Sequence, residues 1–122
     1  MRHMSFSLTA PQIRERSKTV TRRMGWRFLR PGDLIRAVEK GRGRKAGEPI
    51  RPLAVLRVVD VRVEPLVRLL AEPRYAEDEL PREGFPCWTR DDFVARFCRT
   101  HGLKSANADV TRIEFDYAEE PR

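Results

Sequence analysis

Leu53 to Val63 is the longest apolar, β-branched run in the chain, and it commits the protein to a sheet. Side chains branched at Cβ are stiff at χ1 and pack well on a pleated surface, so a run of this length belongs at the centre of a sheet. Arg57, Asp60 and Arg62 interrupt it, which predicts a bend or solvent-facing positions there. The chain has 122 residues, enough for one domain with one core and too few for a two-domain enzyme. A single domain is expected over residues 5–118, with 1–4 and 119–122 as tails. Hydrophobic residues make up 40% and charged residues 35%. No apolar run approaches the roughly 18 residues of a membrane span, so a soluble globular protein with no membrane partner is expected. Two cysteines and no secretory-type leader point to the cytoplasm.

The remaining elements follow from local signals. Ser5 to Leu8 alternates and reads as a short strand. Thr9 with Gln12 three residues on has the capping-box spacing, and Pro11 suits the first turn, so a short helix is expected to about Ser17. Lys18 to Arg22 is β-branched and alternating, a strand or a structured turn with Lys18 at its boundary. Pro31-Gly32-Asp33 is a turn, Leu34 to Val38 a core strand, and Glu39 to Pro52 a polar, glycine-rich loop. Leu66 to Ala71 can make one or two helical turns, and Glu72 to Pro86, rich in acids and prolines, reads as irregular. Thr89 caps a second helix whose Phe93, Val94, Phe97 and Cys98 form one apolar face, ended by Gly102. In Thr111 to Tyr117, Ile113, Phe115 and Tyr117 point one way and Arg112, Glu114 and Asp116 the other. About five strands with two short helices make a small α+β barrel.

Charge is distributed unevenly. Residues 1–51 hold 14 Lys/Arg against 4 Asp/Glu, a balance of +10, while residues 52–122 hold 11 against 14, a balance of −3. Clustered cations raise local anion concentration and association rate, so a polyanion or a phosphate-bearing ligand docking on the first half is the physical expectation; a merely soluble, Arg-rich surface is the bland alternative. The Gly41-Arg42-Gly43-Arg44-Lys45 segment has cations without the strand and helix context of a phosphate loop, which makes Arg42, Arg44 and Lys45 either flexible phosphate contacts or a solvated loop.

Cys87 and Cys98 stand eleven apart, and His3 and His101 stand alone, so neither a metal site nor any cofactor is expected. Cys98 falls on a core-facing helix position, where an inert thiol is the ordinary outcome. The dense cluster is Lys18-Thr19-Val20-Thr21-Arg22-Arg23. Lys18 and Thr21 share a face in a helix, converge in a tight turn and oppose each other in a regular strand; the spacing leaves these open. A lysine whose pKa is depressed by burial or by neighbouring arginines can take the proton of a threonine hydroxyl, and Arg22 and Arg23 supply such a field. A carboxylic acid opposite would protonate a leaving amine, and Glu83 is the candidate. The plain alternative is a basic edge strand.

Together, Ser17-Lys18-Thr19-Val20-Thr21-Arg22-Arg23, Pro31-Gly32-Asp33-Leu34-Ile35, Glu83-Gly84-Phe85 and the closing Val110 to Phe115 strand resemble an ASCH domain of the PUA-like superfamily. The resemblance spans nearly the whole chain. It implies a small PUA-like mixed β-barrel of about five or six strands with two or three flanking helices and a cleft lined by the Lys-Thr segment. The family is proposed to bind RNA or modified nucleobases, and one branch of small bacterial members deacetylates N4-acetylcytidine with a K-T-x-T lysine and threonine and a glutamate. Lys18, Thr19 and Thr21 reproduce that spacing.

By that resemblance Thr21 is the nucleophile, Lys18 its proton acceptor and Glu83 the proton donor, with Glu79 or Glu77 as replacements for the last. The partner is then RNA, a nucleotide or a modified nucleoside, bound by a monomer. Thr19, Arg22, Arg23 and the loop cations contact it, and Trp26, Phe28 or Trp88 stack on a base. A non-catalytic reader of the same ligands is the alternative, and a metal-independent ribonuclease a more distant one.

Overall fold

The structure, a computed structural model, describes residues 1–40 and 50–121. Five strands, β1 (Arg2–Ser5), β2 (Val20–Arg23), β3 (Leu34–Glu39), β4 (Arg51–Pro65) and β5 (Asp109–Ala118), form one sheet in the order β1-β3-β4-β5-β2. β1 runs parallel to β3 and every other pairing is antiparallel, so the sheet is mixed. The long apolar run is its central strand, and the register shift between Val58 and Asp60 falls where the polar interruptions predict a bend. Four helices accompany the sheet: α1 (Ala10–Arg14), α2 (Arg68–Ala71), α3 (Pro73–Glu83) and α4 (Arg90–His101).

The α+β class is as expected, but the barrel is loose, because no ladder joins its edge strands β1 and β2. A side chain spans the gap instead. Arg23 Nη2 donates to the Ser5 carbonyl at 2.6 Å, and its guanidinium lies 4.6 Å from the centre of the Phe6 ring.

Residues 2–4 belong to the sheet. Arg2–Ser5 pairs with Ile35–Val38, and Met4 is buried in the core, so the first strand starts three residues earlier than the alternation at Ser5–Leu8 suggests. The stretch read as irregular contains the eleven-residue helix α3. Pro73 sits in its first turn, where the missing N–H costs nothing, and Gly84 ends it in the left-handed region at φ 98°. Its buried face is Ala76, Glu79, Leu80 and Glu83, a helical spacing concealed by two carboxylates at positions an apolar residue usually fills. The capping box is also unrealised. Thr9 makes no side-chain cap bond, and Gln12 reaches across to Gly84. Thr89 caps α4 as expected, accepting from the Asp92 N–H at 3.1 Å, and Gly102 closes the helix.

Two apolar clusters result. One fills the barrel with Met4, Phe6, Ile13, Ile35, Leu56, Ile113 and Phe115. The other joins α2, α3 and α4 through Leu66, Leu69, Leu80, Phe93, Val94 and Phe97. The candidate site lies where these layers meet the open seam.

Candidate functional site at the barrel seam

A cavity of about 250 Å³ opens beside the seam, between the Ser5–Thr9 segment, β2, the end of α3 and one face of α4. Lys18, Thr21 and Glu83 all line it, and each is less than 5% exposed.

The backbone fixes this convergence. Arg16 adopts φ 63° and turns the chain out of α1. The N–H groups of Ser17 and Lys18 then donate to the Gln12 carbonyl, and Thr19 N–H donates to Arg82 O at 2.8 Å, which ties the Lys-Thr segment to the last turn of α3. From the other side Tyr117 Oη donates to Lys18 O at 2.6 Å, and Phe115 N–H to Thr19 O. Lys18 therefore enters the cavity from just before β2, and Thr21 from within the strand.

Ion pairs organise the floor. Lys18 Nζ donates to both the backbone carbonyl of Glu83 (2.6 Å) and its Oε1 (3.2 Å). Arg22 Nη1 donates to Glu83 Oε2 at 2.9 Å, while its Nη2 reaches Glu79 at 2.6 Å, Glu64 at 3.2 Å and Tyr75 Oη at 3.1 Å. Arg112 completes the chain by gripping Glu79 with two nitrogens. Burial alone raises the Glu79 carboxyl, but Arg112 and Arg22 outweigh it and hold it down at about 2. Burial is also the largest influence on Lys18, and with Arg23 and Arg22 it overcomes the opposing attraction of Glu83, so the ammonium is easier to deprotonate than an ordinary lysine. Arg23 is brought down to about 10 by burial, against the pull of Glu83. Its Nε donates to Thr21 Oγ1 at 3.1 Å, placing a positive donor on that hydroxyl oxygen.

The walls are apolar and aromatic. Phe85 and Trp88 stack with ring centres 4.3 Å apart, and Phe6, Phe93 and Phe97 add further faces. Trp88, one of the three aromatic candidates, lines the cavity; Trp26 and Phe28 do not. Trp26 packs partly against the barrel core and Phe28 lies on the surface beneath Arg2, because Gly25 and Trp26 both take positive φ and turn the chain away from the seam.

Thr19 likewise leaves the cavity lining and contributes through its backbone. Arg22 lines the cavity with its side chain fully buried; both terminal nitrogens are held by carboxylates and Tyr75, while its Nε is without a hydrogen-bond partner among the described residues. Glu79 is locked between Arg22 and Arg112 and Glu77 is exposed, so Glu83 is the carboxylate at the cavity. Arg42, Arg44 and Lys45 lie outside the described residues. Arg96, Thr100 and His101 border the cavity and were not singled out from sequence, since an arginine on a solvated helix face carries no signal of its own. Among the described residues no cluster of three His, Cys, Asp or Glu is suited to a metal ion, and no helix is long and apolar enough to cross a membrane.

No family model and no curated protein matches the chain. Three solved structures share its fold. A hypothetical protein superposes with a TM-score of 0.63 at 15% identity, covering 97% of this chain and all of the other. A DUF984 protein from Enterococcus faecalis gives 0.60 at 13%, over 95% of this chain and 75% of its own. An ASCH domain from Lactobacillus crispatus gives 0.57 at 12%, over 95% and 79%. The chain thus has the fold of an ASCH domain.

Proposed function

We propose that the seam pocket binds a nucleobase and hydrolyses an acyl amide on it, with an N4-acylated cytosine nucleoside as substrate. The observation that carries this reading is the convergence of Lys18, Thr21 and Glu83 on one aromatic-walled cavity, with the lysine fully buried and easier to deprotonate. Stacking on a ring such as Phe85 or Trp88 suits a planar base and tolerates substituents at its edge.

In the reaction, neutral Lys18 takes the proton of Thr21 as the hydroxyl oxygen attacks the acyl carbon. Arg23 Nε, already on that oxygen, steadies the negative charge the hydroxyl acquires as its proton leaves. The C–N bond then breaks, and the amine of the base leaves with a proton delivered by Glu83, which Lys18 Nζ touches at 3.2 Å and can resupply. Water cleaves the resulting threonyl ester, giving the free carboxylic acid and restoring the hydroxyl. Glu83 sits between Lys18 and Arg22, so the proton it passes on is one that Lys18 has just accepted.

A second reading, a reader that binds the base without chemistry, is favoured by one detail: Lys18 Nζ bonds to Glu83 and Thr21 Oγ1 to Arg23, with no bond between the lysine and the threonine. Incubation with N4-acetylcytidine separates the two. Cytidine release by the native protein that vanishes in Lys18→Ala supports hydrolysis; release unchanged in that variant refutes the mechanism, and no release from any N4-acylated cytidine leaves the reader.

A further inference from the structure

Polarity divides the pocket by depth. Its floor is Lys18, Thr21 and Glu83, all nearly inaccessible, and its walls are aromatic. The α4 residues that border it, Arg96, Thr100 and His101, are exposed and therefore mark its mouth. A base seated on the floor leaves whatever it carries at the opposite end facing these three side chains.

Their chemistry suits an anion. Arg96 Cζ stands 5.7 Å from the centre of the Trp88 ring, and its guanidinium makes no hydrogen bond or ion pair among the described residues. No carboxylate pairs with Arg96 among the described residues. His101 stacks on Phe97 with ring centres 4.1 Å apart, and its Nδ1 lies 2.9 Å from Phe97 O. A carbonyl only accepts, so Nδ1 carries the hydrogen and that donor is spent within the helix; His101 borders the mouth as an aromatic face, and the donors offered to an anion are those of Arg96 and Thr100. Thr100, one turn after Arg96 on the same helix face, adds a hydroxyl. The same wall joins floor to mouth: Lys18 Nζ is 5.9 Å from the Phe85 ring, which stacks on Trp88, which lies beneath Arg96.

We propose that the mouth of the pocket is a phosphate subsite, built by Arg96 with Thr100, so that the base arrives on a phosphorylated sugar and not as a free nucleoside. This rests on the base-binding reading of the pocket and is independent of whether hydrolysis follows. The phosphate belongs either to a mononucleotide or to a nucleic-acid backbone, and both present the same oxygens to Arg96.

Calorimetric titration with cytidine, cytidine 5′-monophosphate and a trinucleotide with a central cytidine tests it, on the native protein, Arg96→Ala and Arg99→Ala. Arg99 is exposed on the same helix, does not line the pocket and removes the same charge. The monophosphate is expected to bind about tenfold more tightly than cytidine, the scale of one charge-assisted hydrogen-bonded contact at a solvated rim. Arg96→Ala brings the ratio of the two affinities to one, and Arg99→Ala retains the preference. A trinucleotide that gains at least as much, again through Arg96, identifies the backbone as the source; a gain confined to the monophosphate identifies the mononucleotide.

Equal affinity for cytidine and its monophosphate, or a preference that survives Arg96→Ala, overturns the subsite. Binding of neither ligand overturns the subsite and the base pocket together. A phosphate preference without turnover of N4-acetylcytidine removes hydrolysis and keeps the subsite, whereas turnover without preference does the reverse.

Discussion

Gln12 Nε2 donates to the backbone carbonyl of Gly84 at 3.0 Å, joining α1 to the turn that carries Glu83. The Gln12 carbonyl simultaneously accepts from the N–H groups of Ser17 and Lys18. One residue therefore holds both the lysine and the carboxylate in place. The contact is close enough that a Cβ on Gly84 would meet Gln12 Cγ at 3.1 Å, on a backbone already at φ 98°. Gly84→Ala is expected to cost about 1–2 kcal/mol in denaturant unfolding. Gln12→Ala relieves part of the crowding, so the double variant should lose less than the two single losses together; strict additivity would show that the two positions do not communicate.

Arg22 is the hub on which Glu83, Glu79 and Glu64 depend. Replacing it by methionine leaves buried carboxylates facing one another, with an expected loss of about 3–5 kcal/mol. Thermal unfolding with a midpoint within a few degrees of native would show that solvent already reaches these groups.

Acid sensitivity should trace to Glu79. Its carboxyl is held at about 2 in the folded protein against an ordinary 4.5. A lowered folded value means that the stabilisation is complete above the unfolded pKa and drains away as pH falls from about 4.5 towards 2. Glu79→Gln is expected to be less stable at neutral pH and to show a flatter loss over that window. A stability profile parallel to the native one would remove Glu79 as the source.

Lys18 has the same sign of pH slope, but here the folded state disfavours the charged form. Its folded pKa lies below the ordinary 10.5, so the charged form is disfavoured by folding, and stability rises with pH between the lowered value and 10.5. Lys18→Met should abolish turnover and also lower the melting temperature, because it removes one of the two cations that hold the buried Glu83 carboxylate. Turnover by the native protein should rise with pH along a limb below 10.5, as the neutral amine forms. Turnover that survives in Lys18→Met would assign the lysine to the scaffold.

The barrel strands were legible because their cue is local: Leu53–Val63 and Thr111–Tyr117 carry their own alternation and β-branched content, and the structure pairs them as β4 and β5. The same held for α4, whose cap, apolar face and terminal glycine are adjacent in sequence. Helix α3 was hidden for a physical reason. Glu79 and Glu83 occupy its inward face, and their burial is tolerable only beside Arg22, Arg112 and Lys18, residues no local window contains. Lys18, Thr21 and Glu83 were named from a short motif and a resemblance, and the structure brings them to one cavity. The motif did not reveal that Arg22 is the centre of a buried ion-pair network, nor that Trp26 packs against the barrel core and not in the cavity.

Arg23 should be more sensitive to shape than to charge. Its Nε holds Thr21 Oγ1 and its Nη2 holds Ser5 O, two acceptors on opposite edges of the sheet. Lysine has one terminal nitrogen and cannot reproduce that fork. Arg23→Lys is expected to lower turnover at least tenfold and stability by about 1–2 kcal/mol. Native activity in Arg23→Lys would show that the seam does not need this bridge.

The sheet order also sets when the site comes into existence. β1 and β2 are near in sequence yet occupy opposite edges, and among the described residues β2 pairs with β5 alone. The Lys18 carbonyl waits for Tyr117, 99 positions later, and the Thr19 carbonyl for Phe115. During synthesis the lysine and threonine emerge early, but their strand has no ladder to join until the last strand has left the ribosome. The central strands can collapse before then, but the pocket is among the last parts of the molecule to acquire its shape.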